Sequence, residues 1–219
     1  ALLGGFNAWS DFDIQLLNES VALKVAKNAL SEFDCHYMIQ RFEGLVKPST
    51  IVDPQTGAQT LNPYRTAASV SIIPEYMDWI ALSIEYKMAL FSGTLRQNGE
   101  VMNLIQYLPQ QRYLPHFDAI VGDSPNLKAL LANGGQRVCT VLAYLNEVES
   151  GGETSFPKLQ IKVKPSVGDL LTFRSVDADG KLLQGAYHSG EAVLQGKKWL
   201  LSKWIRQFVT DYGTFFYSR

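Results

Sequence analysis

A chain of 219 residues, 46% hydrophobic and 19% charged, is long enough to bury one sizeable core and sits at the upper range for a single β-rich domain. Its formal net charge of −1 excludes the basic footprint of a nucleic-acid binder and attraction to an anionic membrane surface, and no apolar run reaches the roughly 18 residues of a membrane span. The two cysteines, Cys35 and Cys139, cannot build a disulfide framework and read as buried free thiols.

The apolar start ALLGGF has neither the basic segment nor the length of a secretory leader, so a cytoplasmic location is expected. Residues 1–19, with Phe6, Trp9 and Phe12, read as a packing extension. Residues 20–27 read as a first strand. Residues 30–43 then read as a helix, with Ser31 as N-cap and Asp34 three positions later in a capping box. Its apolar set Cys35, Met38, Ile39 and Phe42 recurs at i, i+3, i+4, i+7, which turns one face to a core and leaves His36 off that stripe. Residues 48–65 are turn-rich, and VDPQTGAQ suits a hairpin bend. After a strand over 69–73, residues 74–91 read as an amphipathic helix. Met77, Ile80, Ala81, Ile84 and Met88 form its buried stripe, and Glu75 and Asp78 suit its positive N-terminal end.

From Val101 the pattern changes to short strands. VMNLIQYL, RYLPHFDAI, QRVCTVLAYL, LQIKVKP, DLLTFRSV, AYHSGEAVL and KWLLSKWIRQFV are separated by Gly, Pro, Asn and Asp, which is the pattern of an antiparallel barrel or sandwich. Residues 123–135 interrupt them and read as a surface loop with a short helical turn. The fold class expected is mainly β with flanking helices (α+β). One domain is expected over 1–219, with a support region over 20–100 and a β core over 101–209.

Chemistry concentrates in RYLPHFD. On a strand, His116 and Asp118 project to the same face. The chain holds only three histidines, and His188 lies in a second strand-like run leading into KKWLLSKWIRQ. Two imidazoles and one carboxylate are the donor set of the facial triad that holds non-haem Fe(II) with positions left open. Alternation along the last strand sends Lys198, Ser202 and Trp204 to one face and Trp199, Leu201 and Lys203 to the other. An ammonium buried on either face would call for a carboxylate partner.

Taken together, YLPHFD, RVCTVLAYLNEVESGGETSFP and GDLLTFRSVDADGKLLQGAYHSGEAVLQGKKWLLSKWIRQ resemble the 2-oxoglutarate- and Fe(II)-dependent prolyl 4-hydroxylase family over about residues 29–207. Its metal motif is HxD, a distant His and a Lys ten residues further on, here His188 to Lys198. The resemblance implies a double-stranded β-helix, or jelly-roll, core. It implies Fe(II) on His116, Asp118 and His188, and 2-oxoglutarate held by Lys198 with hydroxyls of Thr154 and Tyr107. O2 is then the oxidant and ascorbate the reductant. Tyr113, Arg137 and Trp204 match the positions around the target proline of a peptide or protein substrate. The hairpin over 48–65 matches a mobile strand pair that closes over it. Departures are Glu191 and Ala192 where many relatives have Cys and Pro, Ala186 where Ser is frequent, and Gln184-Gly185 in place of a Pro-Arg approach. Two rival functions stay open: hydroxylation of a free amino acid or small metabolite by the same iron site, and a non-catalytic cupin-like binding module.

Overall fold

A computed structural model describes residues 12–52, 59–61, 64–122 and 125–217. In chain order the elements are β1 (Asp13–Asn18), β2 (Leu23–Lys27), α1 (Glu32–Phe42), β3 (Lys47–Pro48), β4 (Thr50–Val52), β5 (Gln59–Leu61), β6 (Ala68–Ile72) and α2 (Trp79–Ser92). Then follow β7 (Met102–Tyr107), β8 (Tyr113–His116), α3 (Pro125–Ala132), β9 (Arg137–Tyr144), β10 (Ser150–Gly151), β11 (Thr154–Phe156) and β12 (Ile161–Val163). The chain closes with β13 (Leu170–Arg174), β14 (His188–Gly190), β15 (Val193–Gln195), β16 (Lys198–Arg206) and α4 (Asp211–Tyr217).

A large antiparallel sheet runs β1-β2-β13-β9-β16-β7-β6-β3 and faces a smaller one, β12-β11-β14-β8, in the jelly-roll arrangement expected. Each central strand of the large sheet feeds two cores, because alternate residues leave it on opposite faces. On one face Val141, Ala143, Leu201 and Leu104 pack with Cys35, Met38 and Phe42 of α1 and Ile84 and Met88 of α2. On the other, Leu142, Tyr144, Leu200 and Ile105 pack with Phe156 and Phe173 between the sheets. Truncating fully buried Met38 or Phe42 to Ala is expected to cost about 2–5 kcal/mol.

Local chemistry accounts for the helix ends. Ser31 Oγ accepts from the Asp34 amide at 3.1 Å and the Asp34 carboxylate accepts from the Ser31 amide at 3.4 Å, the capping box read in the sequence. The second helix begins later than expected. Residues Pro74–Tyr76 form a separate 3-10 turn, and Asp78 caps α2 through the Ala81 amide at 2.9 Å, so Met77 precedes the helix. Gly93, at φ 70°, ends α2 in the left-handed conformation that glycine adopts without a Cβ clash.

Several other boundaries shift. The extension is structural, not merely packed: residues 13–18 form edge strand β1 on β2, and Phe12 meets Phe91 edge-on, whereas Phe6 and Trp9 lie outside the described residues. The first strand expected at 20–27 shortens to β2, and the strand expected at 69–73 becomes β6. RYLPHFDAI contributes only β8, AYHSGEAVL splits into β14 and β15, and TSF within GGETSFP is an unforeseen strand, β11. The interruption after β8 carries α3, two turns of helix, and β4 pairs with β5 as the hairpin read there, its tip lying outside the described residues. No described helix is long and apolar enough to cross a membrane.

Candidate metal centre and its cavity

The smaller sheet places its two histidines opposite each other: β8 and β14 are antiparallel and His188 is the direct cross-strand partner of His116. Their ring centroids are 4.3 Å apart. Each Nδ1 is held by a carbonyl two residues earlier, Leu114 at 2.8 Å for His116 and Ala186 at 2.9 Å for His188, which leaves Nε2 of both facing inward. Those Nε2 atoms lie 3.4 and 3.6 Å from the two carboxylate oxygens of Asp118. All the ligand atoms fall within 4.8 Å of one another, and among the described residues this is the one such group of three or more His, Cys, Asp or Glu. His36 is exposed and apart from it, and both cysteines are buried as free thiols.

Asp118 does not sit on the strand. β8 ends at His116, and Asp118 follows in a bend, so its inward aim owes nothing to ladder alternation. It is fixed instead by Thr140 on β9, whose hydroxyl donates to Oδ2 at 2.6 Å. Burial pushes the Asp118 carboxyl up, but His188, His116 and the Thr140 hydroxyl outweigh it and hold the group below the usual carboxylate range. For His188, burial lowers the pKa to about 4 against the opposing pull of Asp118, so the ring is neutral near pH 7. Two imidazole nitrogens and a carboxylate, each braced from behind, suit a divalent first-row cation.

The rest of the cavity is built from both sheets. His116, Asp118, His188, Lys198, Thr154, Tyr107, Tyr113 and Trp204 all line it. Lys198 is 2% exposed and forms no ion pair among the described residues; its Nζ lies 5.6 Å from the ring centres of both Tyr107 and Tyr144. Burial lowers its pKa to about 7, opposed by Glu153 and Glu191. Register explains the grouping, since Lys198 on β16 pairs directly with Tyr107 on β7. The Tyr144 hydroxyl donates to Thr154 Oγ1 at 2.7 Å, which leaves the threonine proton free to point elsewhere. Tyr113 stacks on His116 at 3.6 Å.

Arg137 is the site candidate that does not line the cavity. Its guanidinium engages Glu100 through Nε at 2.6 Å and Nη2 at 2.9 Å and lies 3.8 Å over the Trp204 ring. It braces Trp204, whose indole Nε1 is buried without a hydrogen-bond partner among the described residues. Sequence reasoning missed Arg65, Leu142, Thr140 and Tyr144. Alternation along β9 carried the signal for the last three, which share a parity. Nothing local marked Arg65, which an isolated bridge sets beside Tyr113.

Residues 102–206 match the 2OG-Fe(II) oxygenase superfamily. Over 211 residues the chain is 35% identical to prolyl 4-hydroxylase 1 of Arabidopsis thaliana, spanning 90% of this chain and 73% of that protein. It is 32% identical over 212 residues to probable prolyl 4-hydroxylase 10 of the same plant, spanning 88% and 71%. Among solved structures, the viral collagen prolyl hydroxylase of Paramecium bursaria Chlorella virus 1, in its 2OG complex, aligns with a TM-score of 0.66 at 25% identity, covering 84% of this chain and 95% of that one.

Proposed function

Because this chain belongs to the prolyl 4-hydroxylase family of 2OG-Fe(II) oxygenases, we propose that it hydroxylates prolyl residues in a peptide or protein, with Fe(II) held by His116, Asp118 and His188. Bound Fe(II) supplies the oxidation: one atom of O2 enters an unactivated C–H of the substrate and the other enters succinate as 2-oxoglutarate loses CO2, with ascorbate keeping the metal ferrous.

The protein's part is to bind, orient and exclude water. Lys198 receives the far carboxylate of 2-oxoglutarate. An ammonium buried at 2% exposure with no counter-ion among the described residues is expensive, and a bound dianion relieves it. Tyr107 and Thr154 donate hydroxyl hydrogen bonds to the same carboxylate, Thr154 being free to donate because Tyr144 already fills one of its acceptor positions. Tyr113 and Trp204 offer two aromatic faces to a flat, extended proline, and the unpartnered Trp204 Nε1 is a donor for a peptide carbonyl. Arg137, its charge matched by Glu100, holds the Trp204 ring.

The observation that carries this reading is the meeting, in one cavity, of the His-Asp-His group, a buried lysine with no ion pair among the described residues and an aromatic mouth. The test is to incubate the protein with Fe(II), 2-oxoglutarate, ascorbate and a panel of Pro-rich peptides, and to look by mass spectrometry for the gain of one oxygen atom. Peptidyl hydroxyproline together with succinate is expected, and His188→Ala should remove both while the fold persists. Free proline turned over better than every peptide would overturn the peptide reading. Retained succinate formation in His188→Ala would overturn the metal assignment.

A further inference from the structure

We propose that Lys158, Phe117 and Tyr187 form a cation–aromatic clamp, outside the cavity, that positions the two chain segments bearing the metal ligands; this rests on the reading of His116, Asp118 and His188 as those ligands. Phe117 lies between His116 and Asp118 in the chain, and Tyr187 immediately precedes His188. Their ring centroids are 4.9 Å apart. The Lys158 ammonium stands 5.4 Å from the Phe117 ring centre and 5.3 Å from that of Tyr187, and it donates to Gln184 Oε1. None of the three lines the cavity.

The backbone alone is a weak support at this point. The pairing of β8 with β14 consists of His188 with His116 and Gly190 with Tyr113, and its register is irregular between them. Beyond His116 the strand stops, so no ladder bond sets the direction of Asp118. Phe117 is joined in the chain to both His116 and Asp118 and lies outside the cavity lining, so holding its ring restrains the backbone of the two ligands on either side. Tyr187, which closes the turn before β14, does the same for His188. Gln184, which anchors the ammonium, opens the turn Gln184–Ala186, and the Ala186 carbonyl holds His188 Nδ1 at 2.9 Å. One cation therefore draws on both rings and on the turn that orients the distal histidine.

Titration of the full chain with Co(II) separates this role from simple packing, because cobalt reports the geometry of its ligands through its visible absorption bands. Lys158→Met, a change at an exposed position, and Tyr187→Leu should each weaken Co(II) binding about tenfold and alter the bands, the range that partners behind metal ligands usually command. Lys158→Arg and Tyr187→Phe, which keep the cation and the ring, should bind as the unaltered protein does. If the Met and Leu variants bind Co(II) with unchanged affinity and spectrum while melting earlier, the clamp is only structural and the proposal fails. If the unaltered chain takes up no Co(II), the ligand assignment fails, and the clamp with it.

Discussion

Two lysines on β16 show how differently the two faces of the large sheet treat the same side chain. Lys198 and Lys203 are five positions apart, so alternation sends them to opposite faces, and both are almost completely buried, at 2% and 1% exposure. On the helix side, Lys203 is fully provided for. It forms an ion pair with Glu85 of α2 and donates to the Glu100 carbonyl at 2.7 Å, while Tyr217 of α4 donates to the same Glu85 carboxylate and Arg96 lies 3.7 Å from it. On the cavity side, Lys198 has two aromatic rings and two acids too distant to pair with it. Burial of a charge therefore does not by itself mark a site. What marks one is a buried charge whose partner the fold does not provide.

The largest effect that tests this contrast is on stability. Lys203→Ala leaves a fully buried Glu85 without its principal counter-charge, and about 3–5 kcal/mol of unfolding free energy should be lost in urea denaturation. The paired change Glu85→Leu with Lys203→Met should recover most of that loss, since removing both charges leaves nothing unmatched. A single variant as stable as the unaltered chain would break the comparison from the structural side.

Lys198→Ala should behave in the opposite way. Its thermal stability should hold or rise, because an unpaired buried cation is removed. Its 2-oxoglutarate affinity, read from saturation of succinate formation or from calorimetry, should fall by about 1.5–3 kcal/mol, the worth of a charge-assisted hydrogen bond. An unchanged saturation curve would break the comparison from the functional side.

The smallest effect sharpens the comparison through pH. In the free protein burial lowers the Lys198 pKa to about 7, against the opposing pull of Glu153 and Glu191. A bound carboxylate favours the charged form and raises that pKa. Below pH 7 the lysine is already protonated and affinity should be flat. Above it, binding must take up a proton, and affinity should fall as pH rises, toward about tenfold per unit. Calorimetry in buffers of different ionisation enthalpy at pH 8 should show that proton uptake, and Lys198→Ala should abolish it.

Much of this molecule was legible locally. The Ser31 box, the apolar periodicity of α1 and the division of β16 into a Lys198 face and a Lys203 face depend on neighbours within a few residues, and local geometry settles them. The order HxD, His, Lys is likewise a property of spacing, and it singled out side chains that the fold brings into one cavity. Tertiary structure decided the remainder because it depends on partners remote in the chain. Asp118 points inward through Thr140, from a bend where alternation has lapsed. The pairing of β14 with β8 makes His116 and His188 neighbours across 72 residues of sequence (188 − 116 = 72). Arg65 reaches the cavity through a lone bridge to Tyr113, β1 became a strand only because β2 had a free edge, and Arg137 was turned from the cavity by Glu100. For the two lysines, alternation alone assigned the faces, but only the packing of α2 against the sheet put Glu85 beside Lys203, while Lys198 has no ion pair among the described residues, because a counter-ion is a long-range contact that no local pattern encodes.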